Sequence, residues 1–153
     1  MVAELGCKMT EPRRDARVEE TLTFRLLVAV NRIVQPFQDA YGKTFDLTLP
    51  EWRCMMALAS KPGSSGEDIA RHMAMDKMMV SRSLRRLEKN GRLIRTQDPA
   101  NARRNAWEMS EAGWEIFDTI LPSALDRDRK AFEHLPEDTK ANLIQILRDF
   151  EVD

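Results

Sequence analysis

The chain has only two cysteines in 153 residues, Cys7 and Cys54. That is too few for a disulfide framework, and the pair lacks the CxxC spacing of a metal clip. Its longest apolar stretches, near residues 26–30 and 54–59, are far short of a bilayer span. No basic-then-apolar signal pattern precedes them, so the expectation is a cytoplasmic protein in a reducing compartment. His72 and His134 stand apart, and no group of side chains has metal-ligand spacing, so neither metal nor cofactor is expected. G-x-S-x-G, P-loop and HExxH patterns are missing, which argues against an enzyme. Internal repeats and low-complexity tracts are missing too, which excludes a solenoid.

What is present describes one soluble globular unit: 42% of residues are hydrophobic and 32% charged. The net charge of -1 conceals an uneven distribution. Residues 71–104 carry ten Lys/Arg against Asp76, Glu88 and Asp98, an excess of +7, whereas residues 105–153 carry -7. A basic block inside an acidic chain is the footprint of a phosphate-binding surface. The plainer alternative is a solvated charged face.

Residues 1–18 are polar and read as a flexible arm. From Glu19, the apolar positions Leu22, Leu26, Val30, Ile33, Phe37 and Tyr41 recur at helical spacing. Pro36 should kink this helix or end its regular part. Thr48 caps a second helix with Pro50 in its first turn, Trp52, Met55, Met56 and Ala59 form its inner stripe, and Lys61-Pro62-Gly63 stops it. Ser65 and Asp68 form a capping box for a short helix over 66–73. A tight turn at Ala74-Met75 follows, and Asp76 caps a helix over 77–90 closed by Gly91. Val80, Leu84 and Leu87 form one narrow stripe on that helix, and Lys77, Ser81, Arg82, Arg85 and Lys89 mostly lie off it. Two helices joined by a short turn, the second cationic, make a helix-turn-helix. Strands over 93–97 and 106–109, joined by turn formers over 98–104, make a hairpin wing. Ser110 caps a further helix bearing Trp114, Phe117, Ile120 and Leu121, which can continue, bent at Pro122, through Phe132. Pro136-Glu137 starts a last one bearing Leu143, Ile144, Leu147 and Phe150.

The fold class expected is mainly α with a small β-hairpin wing. A winged helix-turn-helix lobe spans 47–109, and helical regions at 19–46 and 110–153 serve dimerisation, all within a single domain. The apolar stripes of these end helices exceed what one small lobe can cover, which points to a homodimer.

Six segments in register resemble the MarR (multiple antibiotic resistance regulator) family: Leu49-Pro50-Glu51-Trp52; Lys61-Pro62-Gly63; Asp76-Lys77-Met78-Met79-Val80-Ser81-Arg82; Leu87-Glu88-Lys89-Asn90-Gly91; Asp98-Pro99 through Arg103; and Met109-Ser110-Glu111-Ala112-Gly113. The resemblance runs from about Thr21 onward and is densest over 47–114. It implies a dimer with interleaved terminal helices, binding a pseudo-palindromic operator as a sequence-specific transcriptional regulator, more often a repressor. It also implies a ligand or oxidant that changes DNA affinity. Two departures stand out. Asn101-Ala102-Arg103 replaces an Asp-Arg-Arg-like run, and Met78-Met79 replace small polar residues at the start of the recognition helix.

The residues expected to meet double-stranded DNA are therefore Ser65, Lys77, Met78, Ser81, Arg82, Arg85, Arg103 and Arg104. Arginine forks suit guanine edges and narrow minor grooves, a methionine suits a thymine methyl group, and Ser65 has capping as its competing role. By the same resemblance a small aromatic acid is the expected effector. Trp52 and Met56 would offer it an apolar wall and Arg25 a carboxylate partner, against the alternative that Trp52 and Met56 are simply core. Two other functions compete. One is a redox-sensing regulator of the same fold using Cys7 or Cys54, although a cysteine in an apolar helix is usually a small buried hydrophobe. The other is a winged-helix protein-interaction module, which has no need of a +7 block.

Overall fold

The computed structural model of the chain describes residues 16–98 and 101–150, and for residues 16, 38, 98 and 101–103 the backbone only. The chain divides into two units, Met1–Val34 and Gln35–Asp153. In the first, a 3-10 turn over Ala16–Glu20 leads into helix α1, Leu22–Val34. The last three residues of the expected arm are thus helical, and residues 1–15 lie outside the described residues. α1 stops two residues short of Pro36, whose ring disfavours helical geometry before it. None of its residues is buried, and Leu22, Leu26, Leu27 and Val30 are all exposed.

The second unit opens with a π-helical turn, Gln38–Gly42, and a single α-helical turn, α2, Lys43–Phe45, ended by Asp46 at φ +46°. Helix α3, Leu49–Ser60, begins with a full capping box. Thr48 Oγ1 accepts from the Glu51 amide, and Glu51 accepts from both the Thr48 amide and hydroxyl at 2.7 Å. Helix α4 spans Gly66–His72, and α5 spans Lys77–Lys89. Strand β2, Leu93–Asp98, pairs antiparallel with β3, Asn101–Met109, and a two-residue strand β1, Ser64–Ser65, pairs with the other edge of β3. The sheet order is therefore β1-β3-β2. β1 was not expected, because two residues show no periodicity.

Helix α6, Glu111–Phe132, runs through Pro122 without a break, and α7 spans Glu137–Arg148. No helix among the described residues is long and apolar enough to cross a membrane. The core of the second unit forms where the inner stripes of α3, α4 and α5 meet β3 and α6. Cys54, Met55, Leu87 and Ile120 are fully enclosed, with Leu58, Ile69, Val80 and Leu84 beside them. Each such aliphatic side chain contributes roughly 1.5–3 kcal/mol by leaving water. Trp52 lies in an aromatic file, 5.0 Å from Phe117 and 5.9 Å from Phe37 between ring centres.

Two arginines of the basic block turn inward and fasten this core. Arg86 donates to Glu51 Oε2 at 2.9 Å and to Asp46, so α5 is tied to the start of α3 through a buried carboxylate. Arg92 is buried and donates to the main-chain oxygens of Phe45 and Asp46. The surface charge of the block is accordingly smaller than its formal +7.

Candidate nucleic-acid interface

The helix-turn-helix is assembled from short-range signals. Ser65 and Asp68 complete the capping box of α4: the Ser65 hydroxyl donates to Asp68 at 2.5 Å and accepts from its amide. These bonds, led by that from the hydroxyl, hold the Asp68 carboxyl below its ordinary pKa. The cap therefore contributes at neutral pH and is lost as pH falls through that lowered value. Ala74, at φ +48°, turns α4 into α5, a left-handed conformation that costs a non-glycine residue roughly 1–2 kcal/mol. Asp76 then accepts from the Met79 amide at 2.8 Å and starts α5.

Between the first turn of α4, the outer face of α5 and the wing lies a cleft of about 430 Å³. Its walls carry Lys77, Arg85, Arg95 and Arg104, with Glu67 as the one carboxylate among the described lining residues. Trp107 lies beneath it, with the Arg95 guanidinium 4.9 Å from its ring centre, and Arg95 also donates to Glu88 at 2.6 Å. Arg104 donates to Glu67 at 3.0 Å and to Ser65 Oγ at 3.1 Å, while Lys77 donates to the other Glu67 oxygen at 2.9 Å. The hydrogen bond from Lys77, then the charges of Lys77 and Arg104, hold the Glu67 carboxyl below its usual pKa.

The expected contact residues divide into three groups. Lys77, Met78, Arg82 and Arg85 are exposed and Ser81 half-buried, all on α5. Arg82 and Arg85 make no hydrogen bond or ion pair with any described residue, so both guanidinium groups are open to a ligand. Ser65 is 5% exposed, and its hydroxyl proton goes to Asp68, so here it caps α4 and steadies Arg104. Arg103 and Arg104 lie within β3 rather than in the connecting loop, because the strand begins at Asn101. The register jumps between Gln97 opposite Asn105 and Asp98 opposite Asn101, an irregularity of the kind that re-aims side chains. The side chain of Arg103 lies outside the described residues.

Arg95, Asn105 and Glu67 line the cleft but were not foreseen. Arg95 faces Trp107 only through the strand register, which composition does not reveal. Of the residues expected to meet an effector, Trp52 is buried in the aromatic file, Met56 is half-buried on α3, and Arg25 is exposed on α1. Cys54 is fully enclosed. Burial and then the charge of Glu51 push its thiol up to about 12, against a smaller opposing hydrogen bond with Ser83. At neutral pH almost no thiolate exists there to react with peroxide. In a Cys7→Ser variant, a thiol-reactive dye should label the native chain orders of magnitude more slowly than the denatured chain. Rapid native labelling would restore Cys54 as a redox sensor.

The two capped helices, the three-stranded sheet and the basic cleft between them define a winged helix-turn-helix protein. The segment that carries these elements, residues 47–104, matches the model of the MarR family. It is 32% identical over 78 residues to the HTH-type transcriptional repressor Rv2887 of Mycobacterium tuberculosis, a match covering 51% of this chain and 56% of that repressor. The chain thus spans little more than half the length of the curated relatives it matches at that identity. Two solved structures share the fold. BpsR of Bordetella bronchiseptica, whose DNA binding is regulated by 6-hydroxynicotinic acid, superposes with a TM-score of 0.77 at 21% identity, over 92% of this chain and 99% of that one. Sco3205 of Streptomyces coelicolor, solved in complex with DNA, superposes with a TM-score of 0.74 at 21% identity, over 92% of this chain and 90% of that one.

Proposed function

We propose that the protein is a sequence-specific DNA-binding transcriptional regulator, a repressor that acts as a homodimer on a pseudo-palindromic operator and is released by a small aromatic acid. The observation that carries this reading is the outer face of α5, where Arg82 and Arg85 stand open beside a cation-lined cleft. Guanidinium forks on a helix of this size suit guanine edges in a major groove, and the cleft between helix and wing suits the backbone phosphates. A module that binds only protein gains nothing from that arrangement. The matched repressor and the DNA complex of Sco3205 support the same reading.

Dimerisation is supported by apolar surface that the single chain leaves in water. α7 buries no residue, and Ile144, Ile146 and Leu147 on it are exposed, as are Leu125 on α6 and Leu22, Leu26 and Leu27 on α1. Contiguous apolar faces of this kind mark association surfaces. The effector is argued from BpsR. Of the residues expected to meet it, Trp52 is closed into the aromatic file, which leaves the half-buried thioether of Met56 and the exposed guanidinium of Arg25 to receive a flat acid. Such a ligand releases DNA only by favouring one lobe separation over another.

Fluorescence anisotropy with a duplex, run with light scattering, tests the reading. Binding should weaken steeply with salt, the full-length protein should be a dimer, and a chain ending at residue 134 should dissociate or unfold. A titration with salicylate-like acids should release the duplex. A stable full-length monomer, or no duplex binding at low salt, contradicts the proposal.

A further inference from the structure

Glu67 lies between the two groups of cations that this reading assigns to phosphate. It reaches from α4 to Lys77 on the recognition helix with one oxygen and to Arg104 on the wing with the other, at 2.9 and 3.0 Å. Its place in the first turn of α4 suits the helix dipole, but that role does not require a reach to both cations. The cap of α4 is made by Ser65 and Asp68, and the Glu67 side chain is 49% exposed at the rim of the cleft. Asp68, the next carboxylate, is engaged by Ser65 and lies 3.9 Å from Arg104. Glu67 thus occupies both cations with a carboxylate, where a DNA phosphate would otherwise neutralise them.

Resting on the DNA-binding reading, we propose that Glu67 is a specificity-determining residue: an internal anion that suppresses binding to unrelated DNA. Binding without sequence recognition consists almost entirely of phosphate contacts, so it depends most on cations that are free. A phosphate approaching Lys77 or Arg104 must displace Glu67 and remain beside its charge. On the operator, base contacts from α5 hold the duplex in place while the two cations exchange partners. On unrelated DNA nothing compensates for that exchange. Glu67 therefore acts more strongly against the wrong duplex than against the right one.

The test is a salt titration of binding to a selected operator and to an unrelated duplex, for the wild type, Glu67→Gln and Glu67→Asp. Thermal unfolding run alongside should show that all three fold alike, as expected for an exposed, near-isosteric change. Glu67→Gln should bind the unrelated duplex several-fold more tightly and steepen its log–log salt slope by about one, the increment for one further phosphate contact. The operator should change less, so the ratio of the two affinities should fall roughly threefold or more, given the dominance of phosphate contacts in unspecific binding. Glu67→Asp, which keeps the charge, should stay near the wild type. Unchanged affinity and slope for the unrelated duplex, or weaker binding to both duplexes, overturns the proposal by making Glu67 inert or a mere support for the wing. If the wild type binds neither duplex, the DNA-binding reading itself falls, a result separable from any effect of the variant.

Discussion

Replacing Arg82 and Arg85 together by alanine should lower affinity for a selected operator by roughly 30-fold to 20,000-fold, while the protein stays folded. Both lie on the outer face of α5, on the opposite side from Val80, Leu84 and Leu87, and neither is engaged by any other described residue. Their removal leaves no buried partner unsatisfied, so stability should change by no more than about 0.5 kcal/mol per site. Each arginine reading a guanine edge is worth roughly 1–3 kcal/mol, and two give the stated range at 1.4 kcal/mol per tenfold. The single variants separate the roles. An arginine that reads a base should relax preference at one position, whereas one that holds a phosphate should weaken all duplexes alike and flatten the salt slope by about one. Arg86→Ala, on the same helix, should behave in the opposite way. It strips the buried Glu51 of its cation and damages stability before DNA binding.

Gly113→Ala is expected to be the most damaging small substitution in the fold. Gly113 lies in the first turn of α6, where Ser110 caps the helix by accepting from the Gly113 amide at 3.0 Å and donating to Gly91 at 2.6 Å. The Ser110 amide donates to the Arg92 carbonyl at 3.0 Å, drawing the start of β2 against the start of α6. A methyl group at Gly113 would run into that same Arg92 carbonyl oxygen. The backbone cannot yield easily, because the Arg92 side chain is anchored to Phe45 and Asp46. Overpacking of this kind costs roughly 1–3 kcal/mol, with backbone contacts at the upper end, and should lower the Tm by roughly 5–10 °C for a domain of this length. Protein concentration must be matched, since the proposed dimer would shift Tm by mass action. An unchanged Tm would mean that α6 and β2 are not joined as described.

The contrast between these two sites shows what a linear sequence reveals. Helix starts at Thr48, Ser65, Asp76 and Ser110 were legible because a cap is decided within four residues. Gly91, at φ +71°, was legible for the same reason, since the conformation that ends α5 favours a residue without a Cβ. The partners of the arginines were not. Arg82 and Arg86 are four residues apart on one helix, yet one faces solvent and the other reaches a carboxylate 35 positions away. Turn formers crowd residues 98–104 and predict a loop at Arg104. The jump in strand register instead carries it back onto Ser65 and Glu67. The +7 block falls on α5 and the wing, where the cation-lined cleft lies, while its distribution between core, internal ion pairs and open cations depends on tertiary contacts.

Whether two copies of this lobe read DNA together is decided by selection from a random duplex library. A two-fold dimer should enrich an inverted repeat whose half-sites lie about 10 bp apart, one helical turn, with both protected in a footprint. Enrichment of a single asymmetric site, or of no sequence at all at low salt, would contradict reading by two copies.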